Sequence, residues 1–210
     1  MEEVFSTDKD IDSEAVDLFS DEYLTRISRM KLPNTKVKIL AQLLKKKVSE
    51  FKKVNKIKAK TFEERLQAVL DNYNSRMTDA DYVKGILDDV SDQLMELLRK
   101  LKEEQESFTA MGIDYEEKAF YDILVAVAEK FKFDFPDGEN IELAKEIRAA
   151  LRDKEKYADW ANSAQIKALM QADIIIILAK HGYPPIPAEI YEKVYNDILE
   201  QAENFKKFSD

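Results

Sequence analysis

The stretch that decides the fold is VKGILDDVSDQLMELLRKL, residues 83–101, in which large apolar residues recur at alternating spacings of four and three. These residues are Val83, Leu87, Val90, Leu94, Leu97 and Leu101. Such spacing places an apolar stripe on one side of an α-helix. The stripe is compatible with a coiled-coil seam, but it is shorter than the three to four heptads usually required, so we interpret it as one face of an intramolecular bundle. It predicts one long helix near residues 79–106.

Outward from this helix, cap residues and apolar spacing predict about eight helices and no strands. The predicted N-terminal caps are Ser20, Asn34, Thr61, Thr78, Asp114 and Asn140. The second helix is expected to run to about Lys58, and Trp160 is expected to open the seventh. The run 174–177 is β-branched, which suits a buried strand, yet its Ala-rich surroundings favour a fully buried helix. We therefore expect one all-α domain over 18–208, preceded by an acidic lead-in, residues 1–17.

Composition excludes several classes of protein. The chain has 210 residues, of which 45% are hydrophobic and 36% charged, with only four Gly and five Pro. That balance disfavours disorder and disfavours a β-sandwich or barrel. With no Cys and one His, disulfides, thiolate metal sites and multi-histidine zinc sites are excluded. Because no signal peptide or spanning segment is recognisable, we expect a cytoplasmic protein with no membrane contact.

Two groups of side chains are candidates for catalysis. His181 lacks a sequence-local carboxylate and nucleophile, so we interpret it as a histidine favoured by the dipole at a helix C-terminus. Asp88, Asp89, Asp92 and Glu96 lie on nearby turns of the long helix. Magnesium or nucleotide sites also need a phosphate loop or a lysine at a fixed offset, which the sequence lacks, so we interpret these acids as a solvated face. We predict no catalytic residues and no metal site.

Charge asymmetry is the most informative signal. Residues 24–60 contain eleven lysines and two arginines against the single acid Glu50, a net charge of +12. Because the whole chain has a net charge of −9, the residues outside this segment carry −21. Seven lysines lie away from the apolar face of the second helix, and we call them the lysine stripe: Lys38, Lys45, Lys46, Lys52, Lys53, Lys56 and Lys60. The stripe is compatible with a sequence-independent contact to the DNA backbone, with a solvated face balanced by the acidic remainder, or with an acidic protein partner.

Four motifs in order resemble a known family. They are FSDEYLxRI at 19–27, NYNSR at 72–76, AFYD at 119–122, and Trp160 followed twenty-two residues later by GYPP at 182–185. Together they resemble the C-terminal helical domain of the HsdR motor subunit of Type I restriction-modification enzymes, over nearly the whole chain. The outer face of the Trp160 helix departs from the family by carrying few basic residues.

The resemblance implies a non-catalytic piece of a larger enzyme. The nuclease and ATPase, with their ATP and Mg²⁺, belong to other parts of the parent subunit, and no cofactor is expected in this chain. The implied role is docking the motor onto the methyltransferase and specificity subunits, with a secondary contact to the backbone of double-stranded DNA. The alternative is a domain that chiefly binds DNA through the basic helix 45–60. Trp160 and Tyr183 are candidate partner contacts, although a turn packed against its own helix is the favoured interpretation.

Overall fold

The computed structural model describes residues 20–76, 83–157, 159–185 and 191–208, and over these ranges it is all-helical, as predicted. The eight described α-helices are α1 Asp21–Ser28, α2 Pro33–Val54, α3 Lys56–Arg76, α4 Val83–Ala110, α5 Tyr115–Phe131, α6 Asp137–Glu155, α7 Ala164–Lys180 and α8 Tyr191–Phe208. One 3₁₀ turn, Trp160–Asn162, precedes α7. The lead-in 1–17, Thr78 and Pro187 lie outside the described residues.

The helices form two bundles, each with its own core. In the N-terminal bundle, α1 to α4 bury one cluster that includes Leu40, Leu44, Leu94, Leu98 and Leu101. The predicted long helix is present as α4, which continues to Ala110, about four residues beyond its predicted end, whereas its predicted start at 79 lies outside the described residues. From Leu87 to Leu101 its apolar stripe lies in this cluster and packs against α2 and α3, so the bundle interpretation is confirmed.

The C-terminal bundle consists of α5 to α8 around a second core. Its largest buried side chains are Trp160, Tyr183 and Phe120. Asp114 opens α5 with a capping box, in which its side chain accepts from the backbone of Glu117 and the Glu117 side chain accepts from the backbone of Asp114. Gly182 adopts φ +62 after α7, the left-handed conformation that lets the chain leave a helix. The predicted cap at Asp114 is confirmed.

Four predicted helix boundaries are wrong. The second helix ends at Val54 rather than near Lys58, and α3 starts at Lys56, so Thr61 is inside α3 and does not cap it. Pro33 opens α2, which places Asn34 inside the helix. Asn140 is buried within α6, where its amide donates to the carbonyl of Phe135. Asn34, Thr61 and Asn140 each have a strong capping preference, yet each lies inside a helix, within five residues of a start that proline or tertiary contacts determine.

The helix α7 also differs from its prediction. Trp160 belongs to the 3₁₀ turn, and Ser163 caps α7 by accepting from the backbone N–H of Ile166. The helix is not fully buried, because only Met170, Ile174 and Leu178 lie in the core. Over the described part of the chain, no helix has both the length and the apolar content needed to cross a bilayer.

Candidate nucleic-acid and partner surfaces

The lysine stripe does not lie on one helix, because Asn55 divides it. Lys38, Lys45, Lys46, Lys52 and Lys53 are exposed on α2, whereas Lys56 and Lys60 belong to α3. At Asn55 the backbone adopts φ −145 and ψ 95, which is extended and ends the helix. The stripe therefore changes direction at Asn55, and its two parts cannot follow one straight phosphate backbone.

Several stripe lysines make ion pairs within the chain. Lys52 donates to both carboxylate oxygens of Glu63, at 2.9 and 3.1 Å. Lys56 pairs with Glu200 on α8, and Lys60 lies 4.0 Å from Glu64. Exposed pairs of this kind contribute little to stability. Each nevertheless places a carboxylate beside the ammonium group, where it competes with a phosphate for the same charge. These three lysines are thus weaker candidates for DNA than the sequence indicates.

Lys38, Lys45 and Lys46 form the remaining candidate for phosphate binding. All three are exposed on α2, and none makes an ion pair with another described residue. Lys38 and Lys45 are seven residues apart and so lie on the same side of the helix, separated by about 10 Å along its axis. This part of α2 therefore presents a short basic surface that remains available to an anionic partner.

The break at Asn55 is an anchor between the two bundles. The Asn55 side-chain amide donates to Asp122 Oδ2 on α5 at 2.6 Å, while its Oδ1 accepts from the backbone of Lys58 at 3.0 Å. Asp122 is 2% exposed and also accepts from Lys118 at 2.6 Å. Burial raises the pKa of the Asp122 carboxyl, and Lys118 opposes that rise. Asn55 thus caps α3 and joins it to the middle of α5.

Two side chains of α8 complete this anchor. Gln201 accepts from the backbone N–H of Lys56 and donates to the carbonyl of Val54, both at 3.1 Å. Asn204 donates to the carbonyls of Lys52 and Lys53 at 3.0 and 2.8 Å. The polar groups that the helix break exposes are therefore satisfied from the other bundle. Sequence reasoning missed these residues, and the only available signal was a capping residue, Asn55, inside a predicted helix.

The candidate partner contacts Trp160 and Tyr183 lie in the core rather than on the surface. Trp160 is 1% exposed and Tyr183 is fully buried. The Tyr183 ring meets Phe133 and Phe135 edge-on, with centroids 5.6 and 4.9 Å away, and its hydroxyl donates to the carbonyl of Leu124. Burial raises the pKa of Tyr183. Both rings belong to the core of the C-terminal bundle, and Tyr183 contacts α5 and the segment that follows it.

His181 has a carboxylate partner that sequence spacing could not reveal. Its Nε2 lies within hydrogen-bond distance of Glu146 on α6, and Lys180 donates to the same carboxylate. Hydrogen bonds from Lys180 and His181 lower the pKa of Glu146. No hydroxyl nucleophile bonds to either group within the part of the chain described. The cluster fastens the C-terminus of α7 to α6.

The four acids of the long helix are all exposed on α4, as a solvated face requires. Asp89 accepts from Gln93, and Glu96 pairs with Arg99 and Lys100. Among the residues with described positions, no group of three or more His, Asp or Glu side chains is arranged to hold a metal ion.

The outer side of α7 is apolar and exposed. Leu169 and Ile176 are 51% and 65% exposed, and Ile175 is 37% exposed. We call this surface the α7 strip, and its members are Ala168, Leu169, Ala172, Ile175, Ile176 and Ala179. The sequence interpretation treated α7 as fully buried because apolar residues occur all around it, and the structure shows that only one side packs against α6 and α8.

Comparison with known proteins identifies the family. Residues 1–208 match the family described as Type I restriction enzyme HindI endonuclease subunit-like, C-terminal. The chain is 26% identical over 189 residues to the putative type I restriction enzyme MjaIXP endonuclease subunit of Methanocaldococcus jannaschii, a match covering 89% of this chain. It is also 26% identical over 189 residues, 90% of this chain, to the type I restriction enzyme HindI endonuclease subunit of Haemophilus influenzae.

In both cases the matched region spans only 17% of the length of the relative. No solved structure matches the chain.

Proposed function

Because the chain belongs to the family of Type I restriction enzyme HindI endonuclease subunit-like C-terminal regions, we propose that it is a non-catalytic assembly domain. It docks its parent motor subunit onto the methyltransferase and specificity subunits of a restriction complex. The parent supplies the nuclease and the ATPase, with ATP and Mg²⁺, from sequence outside this chain. The complex works in the cytoplasm, where cellular DNA is accessible to it.

The observation that carries this proposal is the rigid connection between the two bundles. Asn55, Asp122 and Gln201 are buried residues, and their hydrogen bonds link α2, α3, α5 and α8. A satisfied buried polar network fixes a single relative arrangement, because each alternative leaves a desolvated group without a partner. A domain that sets the position of a motor relative to its DNA-recognition subunits needs this property.

A sequence-independent contact to duplex DNA is the secondary role, supported by the unpaired lysines of α2. Lys38, Lys45 and Lys46 are all exposed on α2 of the N-terminal bundle. The ion pairs of Lys52 and Lys56 disfavour the alternative of a domain that chiefly binds DNA through 45–60.

Binding of the 210-residue chain to the purified methyltransferase–specificity core tests the docking role. We expect saturable binding by biolayer interferometry in the absence of DNA, and tighter binding when the core carries duplex. A matched experiment with the core from an unrelated restriction system controls for nonspecific association. Equal binding to both cores, or none to either, would contradict docking.

A further inference from the structure

We propose that the turn between α1 and α2 is a further contact with duplex DNA, at which the Leu32 side chain enters the minor groove. We call residues 29–32 the basic turn; they are Arg29, Met30, Lys31 and Leu32. This inference rests on the proposed DNA contact of α2 and adds to it a contact that is apolar rather than ionic. Leu32 is 67% exposed and Met30 is 37% exposed.

The charge around Leu32 identifies the partner as an anion. The segment 26–38 contains no acid and five basic residues: Arg26, Arg29, Lys31, Lys36 and Lys38. None of the five forms an ion pair with another residue that the structure describes. A single exposed leucine is ordinary on a protein surface, but this one lies among cations that nothing described neutralises.

The backbone of the basic turn is held on both sides of Leu32. The N–H of Met30 donates to the carbonyl of Ile27 at 3.1 Å, and Ile27 is buried in the core of the N-terminal bundle. The carbonyl of Leu32 accepts from the N–H of Lys36 at 3.0 Å, and the ring of Pro33 fixes φ at the first position of α2. The leucine is therefore presented by an ordered backbone, which avoids the cost of ordering a loop on binding.

Folding does not explain a leucine at this position. Leu32 is the N-cap residue of α2, where Ser, Asp or Asn would satisfy a backbone N–H and leucine is strongly disfavoured. Its side chain makes no capping hydrogen bond and is absent from the core of the N-terminal bundle. A residue that opposes the local structural preference and buries little in the fold is a candidate for binding.

The minor groove of B-DNA matches the basic turn in width and in charge. The groove is about 6 Å wide, so a single aliphatic side chain on an extended residue enters it, whereas an α-helix about 10 Å across does not. Leu32 has this extended conformation, with φ −101 and ψ 97. Minor-groove proteins insert leucine or methionine between base steps. Arg29 and Lys31 precede Leu32, and Lys36 and Lys38 follow it, so cations are available to the phosphates beside the groove.

The basic turn leads directly into the basic surface of α2. Lys38 follows Leu32 by six residues and Lys45 follows it by thirteen, which corresponds to about 9 and 20 Å along the helix axis. Both distances are shorter than one helical turn of DNA, about 34 Å. One duplex can therefore contact the lysines of α2 and receive the leucine of the turn.

Acids of α4 lie near α1 but do not face the basic turn. Glu103 and Glu106 line a cleft between α1 and α4 together with Arg99 and Lys102. None of residues 29–32 lines this cleft. Because these acids share the cleft with an equal number of bases, they do not offset the charge of the turn.

DNA bending and affinity, measured together, test the inference. An inserted side chain kinks a duplex by about 20–90°, so the wild-type chain should raise energy transfer between dyes at the two ends of a short duplex. We expect Leu32→Ala to remove most of that increase and to weaken binding about 3- to 10-fold. The slope of log affinity against log salt should stay unchanged, because no ionic contact is lost.

Two further variants serve as controls. Ile176→Ala is the matched control, because Ile176 is an aliphatic residue of nearly equal exposure, 65%, on the C-terminal bundle. It should bind and bend the duplex like wild type. Arg29→Ala combined with Lys31→Ala should flatten the salt slope by about 2, since two phosphate contacts are removed. Circular dichroism should show unchanged helix content in all variants, because the altered side chains are exposed.

The outcomes separate this inference from the proposals on which it rests. If the α2 lysines contribute to the salt slope but Leu32→Ala binds and bends DNA like wild type, the inference is wrong and the DNA contact of α2 stands. If wild type binds no duplex, both are wrong, while docking is tested separately. If Leu32→Ala leaves DNA binding unchanged but weakens binding to the DNA-free methyltransferase core or to anionic lipid vesicles, the turn belongs to that partner and the inference is overturned.

Discussion

The side-chain amide of Asn55 donates a 2.6 Å hydrogen bond to the carboxylate of Asp122, 67 residues away along the chain. This bond joins the break between α2 and α3 to the middle of α5, and so joins the core of one bundle to that of the other. The helix break at Asn55, within a lysine-rich segment, therefore connects the two bundles, and we call this connection the joint. The basic surface of α2 ends before this break.

Removing this joint should destabilise the domain. We expect Asn55→Ala to lower the free energy of unfolding by about 1–3 kcal/mol, because Asp122 loses a buried donor and α3 loses its cap. Urea denaturation followed by circular dichroism measures the change. Asn74→Ala, at an exposed position of α3, should stay within about 0.5 kcal/mol of wild type. Equal effects of the two substitutions would remove the evidence for a joint.

The buried arginine of α6 provides a second test of the C-terminal bundle. Arg148 donates to Glu116 on α5 and to Glu155, and its side chain is 8% exposed. We expect Arg148→Ala to cost about 3–5 kcal/mol, because the largely buried Glu116 loses its nearest cation and keeps only the longer contacts with Tyr115 and Arg152. Arg148→Met together with Glu116→Leu should recover much of that loss, whereas Arg152→Ala, at an exposed site, should have little effect. Urea denaturation measures all of these.

Glu146 should make the stability of the domain depend on pH. Hydrogen bonds from Lys180 and His181 lower the pKa of Glu146 in the folded state. A carboxyl group whose pKa is lower in the folded than in the unfolded state stabilises the fold at pH values above its unfolded pKa of about 4.3. This contribution is lost as the pH falls through the folded pKa. At pH 7 we expect the free energy of unfolding of wild type to exceed that of Glu146→Gln by at most about 1 kcal/mol. The difference is small because the site is partly exposed.

That difference should shrink as the pH is lowered below about 4.3. Urea denaturation of both proteins at several pH values measures it, with Glu142→Gln as a control that removes an exposed carboxylate from the same helix. A difference that grows on acidification would contradict the ion-pair assignment.

The two candidate partner aromatics should behave as core residues. Because Trp160 is 1% exposed, we expect Trp160→Ala to cost about 3–5 kcal/mol of folding stability, and Trp160→Phe to cost less. Tyr157→Ala, which removes a neighbouring ring that is 59% exposed, should be nearly neutral. Folded Trp160→Phe should bind the methyltransferase core with wild-type affinity. Loss of that affinity without loss of stability would place the indole in the interface after all.

The basic surface of α2 makes a separate prediction about DNA. Each phosphate contact contributes about −0.9 to the slope of log affinity against log salt, so reversing Lys38, Lys45 and Lys46 to Glu should flatten that slope by about 2 to 3 at any duplex sequence. Reversing Lys145, Lys156 and Lys193, which pair with acids on the C-terminal bundle, makes the same charge change elsewhere. Fluorescence titrations across salt that show equal slopes for the two triple variants would contradict the DNA contact.

Sequence reasoning succeeded where a local signal and the tertiary environment agree. The apolar spacing of residues 83–101 predicted α4, and Asp114 predicted the start of α5, because periodicity and capping act within a few turns. It failed at Asn55, where a continuous helix was predicted. That break depends on Asp122 and Gln201, which supply hydrogen bonds from 67 and about 145 residues away.

The sequence by itself determined the helical class, the approximate number of helices, the charge asymmetry and the family, since each of these depends on residue type and local order. Only the tertiary structure decided which surfaces remain available. Lys52 and Lys56 form ion pairs with acids of other helices, so they are less available to an anionic partner. Packing against α6 and α8 buries one side of α7 and leaves the other exposed. The physical reason is that burial and charge pairing depend on distances between segments, which spacing within one segment does not encode.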